Sequence, residues 1–264
     1  KFGKCFRRGL ACLPRDVDKT DKQDDNAAAR LFSAATLQFL AQKLEHGHYE
    51  LLGLVVYLAV FGELCDAYQN RNLGHAERIN IVLRTRYFVD MWQTIIDTLP
   101  GYTQTQYFVS REATDIIQFL IDGLISLIVI HRDYYPNVPL LPWLHSTEVC
   151  EHLFGLVRKL VADFALKDFF DSIPKVYIQV REFVLNSFRS ETTDAMKARA
   201  SGYHHTYANI QGLDIISLGY FPAKAEIERT ARRAVEESDS LWAMLGVSPD
   251  AVVWVLRFSP KKVN

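Results

Sequence analysis

His145-Ser146-Thr147-Glu148-Val149-Cys150-Glu151-His152-Leu153-Phe154-Gly155-Leu156-Val157-Arg158-Lys159 is the stretch from which the fold of this chain is read. It gathers two carboxylates and two imidazoles between positions 145 and 152 and then turns apolar. The apolar part predicts a helix over 146–162 with one buried face. Acids this close repel, so a fold keeps them only in water, beside a cation, or in a site that uses the repulsion. Carboxylates at the edge of a buried helix suit metal-dependent phosphoryl transfer. They also suit an ordinary helix start, with Ser146 or Thr147 as cap and Glu148 as a first-turn acid favoured by the dipole.

Working outward, the sequence is mainly α. Upstream, Asn26 is placed to cap a helix over 27–45, followed by a break at His46-Gly47-His48. A very apolar helix spans 49–70, and Asn72 with Gly74 makes a turn. A third helix covers 75–98, where Arg78, Arg84 and Arg86 sit among Ile79, Ile81, Val82, Tyr87, Phe88, Met91 and Trp92, and Pro100-Gly101 ends it. A fourth covers 110–131. Tyr135-Pro136 and the prolines at 139 and 142 form a connector, because proline's fixed φ and missing N–H mark boundaries and not helix interiors. Downstream, residues 163–170 read as a turn or hook, and Pro174 as the first turn of a helix ending near Ser187. The stretch 189–222 is polar, a last helix covers 223–245, and 252–258 reads as a short strand or helix end.

The 264 residues suffice for one large domain or two small ones. With 49% hydrophobic and 23% charged residues the chain is globular and not disordered. A formal net charge of −1 gives no global basic excess, so contact with DNA needs a local patch. Residues 1–25 are a charged leader or linker, with Lys1, Lys4, Arg7 and Arg8 as an alternative basic arm. The four cysteines, Cys5, Cys12, Cys65 and Cys150, form no C-x-x-C pair and read as free thiols. The chain has no initiator Met and no signal-peptide run, and reads as an excised piece of something longer. The apolar runs 51–62 and 116–130 are too short to span a bilayer, and Asp122 interrupts the second.

As a metal-ligand set, His145, Glu148, Glu151 and His152 could converge on one side of the helix, giving a metal-dependent helical enzyme. Their spacing matches none of the zinc signatures. His204 and His205 are a further pair, more in keeping with a solvated loop.

The pattern acid-x-x-Glu-x-x-Phe-x-x-x-Arg, carried by Glu148, Glu151, Phe154 and Arg158 after a proline-rich connector, resembles the D-H-L-E-N-F-F…R helix of P-element-type (THAP-related) transposases and of transposase-derived fungal proteins. The stretch Asp25-Asn26-Ala27-Ala28-Ala29-Arg30-Leu31-Phe32-Ser33-Ala34-Ala35 is similar to that family's N-V-K-L-A-A-Q-L-F-S-N segment, which opens a helical insertion domain. Asp66-Ala67-Tyr68-Gln69-Asn70-Arg71 is similar to its D-x-x-N-S-R helix end.

The resemblance implies a two-lobed helical array: insertion-domain helices over 26–138, then C-terminal helices of an RNase H-like core over 139–190, with 191–264 as an extension holding one long helix. It implies Glu151 as the catalytic, metal-binding Glu of an acidic triad, Phe154 as its packing anchor, Arg158 as a basic partner, and Glu148 as a secondary acid. It implies Mg²⁺ or Mn²⁺ as cofactor, DNA as partner alongside a second copy of the chain, no membrane, and a nuclear location. It also points to Asp66 and Asn70 as GTP contacts, although no G-x-x-x-x-G-K-[ST] loop is present. A single Glu cannot hold two metal ions, and the two strand-borne Asp residues such a site needs are not read here. The expectation is therefore a fragment inactive alone, or a remnant kept as a helical protein-interaction module without chemistry.

Overall fold

The computed structural model describes residues 25–189 and 214–248, the side chains of residues 25, 26, 148, 149, 152 and 183–189 excepted. It is mainly helical, with no strand among the described residues. The chain divides into two compact units. One comprises residues up to Leu140 together with those from Ile216 onward; the other runs from Leu141 to Ile215.

In the first unit, α1 (Asp25–Leu31) and α2 (Ala34–Glu45) stand where one helix over 27–45 is expected. Ser33 makes the break. Its backbone is extended, its hydroxyl accepts the Thr36 N–H at 3.3 Å, and it donates to the Arg30 carbonyl at 2.8 Å. Thr36 donates to the same carbonyl, so two hydroxyls finish α1 while one starts α2. Gly47, at φ 90°, ends α2 in the left-handed region.

A single 3-10 turn, Tyr49–Leu51, leads into α3 (Leu52–Gln69), and α4 (His75–Thr98) follows after Gly74. The short α5 (Gln104–Tyr107) precedes α6 (Arg111–Tyr134). Ser110 caps α6 by accepting the Ala113 N–H at 3.2 Å. The Glu112 carboxyl is held below its ordinary pKa by its own backbone N–H and by Ser110.

The core lies between α3, α4 and α6. Phe61, Leu64 and Ala67 pack with Ile79, Val82 and Val89 and with Ile117, Ile121, Leu124 and Ile128. Gly62 lets α3 approach the α1 end closely: a Cβ there would meet the Phe32 carbonyl oxygen at 3.0 Å. The apolar runs read as too short to cross a bilayer lie inside longer helices. Tyr49–Gln69 and Arg111–Tyr134 are long and apolar enough by length and composition. The first is a core helix, with Val56, Val60, Phe61, Leu64 and Ala67 all buried.

The 223–245 helix, α10 (Lys224–Met244), is a structural layer of this same unit and makes its most extensive helix contact with α4. Its buried positions Thr230, Ala234, Ser238 and Trp242 fall one turn apart, and three of them are small. That stripe admits close approach. A second apolar cluster then joins Val56, Val60, Phe88, Ile95 and Trp242, with the Phe88 and Trp242 rings stacked at 4.6 Å.

The second unit starts with a 3-10 turn, Pro142–Leu144, followed by α7 (Glu148–Leu160) and α8 (Leu166–Arg189) packed against each other. Helix α8 begins earlier than Pro174 predicts. Asp168 accepts the Ala165 N–H at 2.9 Å, the backward half of a capping box. Pro174 is therefore inside the helix, on its exposed side. Helix α9 (Ile215–Leu218) opens the return to the first unit. The strand or helix end read at 252–258 lies outside the described residues, as do His204 and His205.

Candidate functional site

Glu151 sits on the first turn of α7, exposed, its backbone N–H bonded to the Thr147 carbonyl at 2.9 Å. Its carboxylate accepts the Thr147 hydroxyl at 2.9 Å. The helix N-terminus places a negative side chain where backbone N–H groups and the dipole favour it. Phe154 follows at i+3 and Arg158 at i+7, so acid, aromatic ring and guanidinium share one face, the two charged residues about 10 Å apart along the axis.

Phe154 is 41% exposed, yet its ring stacks on Phe164 at 6.2 Å and tilts against Phe169 at 5.8 Å. This aromatic group ties α7 to the α7–α8 turn and to the first turn of α8. Arg158 is exposed on the last turn and lines an open basin of ≈ 400 Å³ with Ala162, Asp163, Phe164 and Ala165. An acid at the front of the helix and a cation at its end are thus both presented to solvent from one packed strut.

The side chains of Glu148 and His152 lie outside the described residues. Among the described residues no group of three His, Cys, Asp or Glu side chains could hold a metal ion. Cys65 and Cys150 are free thiols, with Cys65 pushed up by burial beside Asp66.

Asp66 and Asn70 lie at the end of α3. Desolvation raises the Asp66 carboxyl above its ordinary pKa. The Asn70 carboxamide oxygen accepts the Asn72 N–H at 3.0 Å, a side-chain turn that carries the chain from α3 towards α4. Its carbonyl is taken by Arg78 at 2.6 Å, and Arg78 also donates to the Ala67 carbonyl. Asn70 is thereby occupied in terminating α3.

A second constellation, not evident from the sequence, sits on α4. Arg84 donates to both Glu63 of α3 and Glu237 of α10. Asn80 donates to Glu237 at 2.9 Å and accepts from Arg233 at 3.1 Å, and Arg233 reaches Glu77 at 2.6 Å. Burial raises the Glu63 carboxyl even though Arg84 pulls it down. Every member is paired within the set, which makes it a seam between helices and not an open site. The visible signal was the mixture of arginines with apolar residues over 78–92, a helix too buried for its charges to be solvent-facing.

Comparison with protein-family models, with curated sequences and with solved structures finds no match to this chain.

Proposed function

We propose that the chain is the C-terminal, Glu-bearing part of a transposase-like, DNA-binding phosphoryl-transfer protein, with Glu151 as the last acid of a divalent-metal site. The observation that carries this reading is the placement of Glu151. It is an exposed first-turn carboxylate on a helix whose aromatic anchor, Phe154, fixes it against α8, with Arg158 on the same face. That arrangement agrees with the acid-x-x-Glu-x-x-Phe-x-x-x-Arg pattern of the sequence. Two metal ions clamp the attacking and leaving oxygens of a phosphodiester when three or so carboxylates hold them roughly 3.5–4 Å apart. Glu151 would be one ligand of Mg²⁺ or Mn²⁺, and the resemblance calls for two Asp residues as the others. Arg158 would meet a DNA phosphate, as guanidinium forks do.

A second reading, a helical protein-interaction module of the same ancestry without chemistry, is favoured by one feature of α8. Leu166, Phe170, Ile173, Tyr177 and Val180 recur every three or four residues and are all exposed, Leu166 by 72% and Tyr177 by 66%. In the first reading this stripe lies on the sheet of the RNase H-like core; in the second it meets another protein.

Mg²⁺- or Mn²⁺-dependent DNA strand cleavage by the full-length protein, compared with its Glu151→Gln variant, separates the two. Loss of cleavage by a factor of about 10³ or more in the variant is expected for a metal-binding carboxylate. Undiminished cleavage removes Glu151 from the chemistry, and no cleavage by either form favours the interaction module. The GTP reading of Asp66 and Asn70 is tested by nucleotide titration of the same protein.

A further inference from the structure

The chain leaves the first unit after Leu140 and returns at Ile216, and both crossings are held at one place. The Leu218 carbonyl accepts the Leu140 N–H at 3.0 Å and the His75 Nε2–H at 2.9 Å, using both its lone pairs. His131, near the end of α6, donates from Nδ1 to the Val138 carbonyl at 3.3 Å. Between the two imidazoles stands Phe221. His75 lies flat on its ring at 5.1 Å with an interplanar angle of 3°, and His131 tilts against it at 5.8 Å.

His75 is 1% exposed, and its Nδ1 has no hydrogen-bond partner. A carbonyl can only accept, so Nε2 carries the hydrogen and Nδ1 carries a sealed lone pair. A proton added there would become a buried N–H donor with no acceptor among the described residues. The charged and titratable groups around it offer little relief. Arg78 on the same helix and His131 from α6 oppose a positive charge at His75. Arg132 of α6 is turned to the Pro222 carbonyl at 3.5 Å and paired with Asp133. Glu226 of α10 takes the Tyr220 hydroxyl at 2.9 Å.

We propose that residues 218–222 are a strap, closed on the first unit by His75 and His131 around Phe221, that acid releases. Leu218 holds Nε2 and Phe221 lies on the ring, so lifting both gives the His75 imidazolium access to water, and protonation disfavours the closed strap. The sense of the pH effect follows from the direction of the shift. Burial lowers the closed-state pKa of His75 from 6.5 to about 4. The open form therefore binds more protons between those values. The strap is fully stable above about pH 6.5, loosens as the pH falls towards 4, and changes no further below that.

Amide hydrogen exchange tests this on the whole chain. The Leu140 amide reports the strap, and the Phe88 amide, in the middle of α4, reports the body of the unit. After correction for the chemistry of exchange, Leu140 protection should fall about twentyfold between pH 7 and pH 5 while Phe88 protection holds. His75→Gln, which keeps a donor for Leu218 but cannot titrate, should flatten the response. The proposal is overturned if Leu140 shows no fall, if Leu140 and Phe88 fall together, or if the fall persists in His75→Gln. Should that variant not fold, an NMR titration of the wild-type His75 ring decides. Ring signals that titrate near 6.5 with the Leu140 amide still protected overturn the proposal, and a ring still neutral at pH 5 in the closed form supports it.

Discussion

Arg78 and Glu151 are two charged residues on helix N-terminal turns with opposite energetics. Arg78 is fully buried, and its guanidinium caps the carbonyls of Ala67 and Asn70 that α3 leaves without partners at its end. Burial lowers its pKa to about 10, still well above neutrality, so it stays a cation at the negative end of the α3 dipole. Arg78→Met should cost about 3 kcal/mol, because two charge-assisted bonds go and a buried and a half-buried carbonyl lose their donor. A lowered urea midpoint with an unchanged slope is the expected result; a shift worth under about 0.5 kcal/mol would mean that water replaces the guanidinium. The sequence did not reveal this role, since arginine is usually a surface residue and its partners here are backbone atoms of another helix. Glu151 is exposed, with one hydroxyl bond to Thr147. Glu151→Gln should leave stability within about 0.5 kcal/mol of the parent. A loss of DNA cleavage in that variant would then report chemistry and not unfolding.

Among the elements, helices whose ends carry their own stop signals were legible, and those ended by side chains were not. The span 75–98 is read correctly because a turn with Gly74 precedes it and Pro100-Gly101 follows. The break at Phe32-Ser33 was hidden because Leu31, Ala34, Ala35 and Leu37 keep an apolar period across it, while the decisive contact is one serine hydroxyl on the Thr36 N–H. Ser33→Ala should therefore cost about 1 kcal/mol and fray the start of α2 first, visible as faster amide exchange at Thr36 than in the middle of α4. Pro174 misled in the other direction. Proline favours a first turn, but the Asp168 bond to Ala165 starts α8 about two turns earlier and leaves proline inside. Its missing N–H and its ring weaken α8 on the solvent side. Pro174→Ala should raise helix content and stabilise α8 by up to about 3 kcal/mol, measured by circular dichroism and proteolysis of the 166–189 segment. No gain would mean that the proline costs α8 nothing at this exposed position. The placement of the Glu151 face on a helix was legible in the sequence from apolar spacing alone; the basin beside Arg158 was not, because residues 162–165 form it only after α8 has folded back.

At the scale of the whole molecule, the direction of α10 decides what the C-terminal part is for. Glu77 pairs with Arg233, Arg84 with Glu237, and Phe88 stacks on Trp242, so residue numbers rise together and α4 and α10 run parallel. Parallel neighbours cannot be joined by a short loop, and here residues 99–223 separate them. The sequence showed a charged helix at 223–245 and invited the reading of an appended extension, because nothing local states that its Thr230-Ala234-Ser238-Trp242 stripe meets α4 some 150 residues earlier. The described geometry makes it part of the first core, with Trp242 in the same cluster as Val56 and Phe88. The departure and return of the chain are also joined directly, Leu140 N–H to Leu218 carbonyl at 3.0 Å. Two opposite outcomes follow from deleting different pieces. Replacing residues 141–215 by a linker of about four residues should leave the first unit folded, since its ends already meet and short connections close at little entropic cost. Removing residues 224–264 should abolish cooperative unfolding, because it uncovers Phe88, takes Glu237 from Arg84 and strips both partners from Asn80. Thermal melts followed by near-ultraviolet circular dichroism check both. A sharp transition in the second variant, or its loss in the first, would show that α10 is dispensable and that the two units depend on each other for folding.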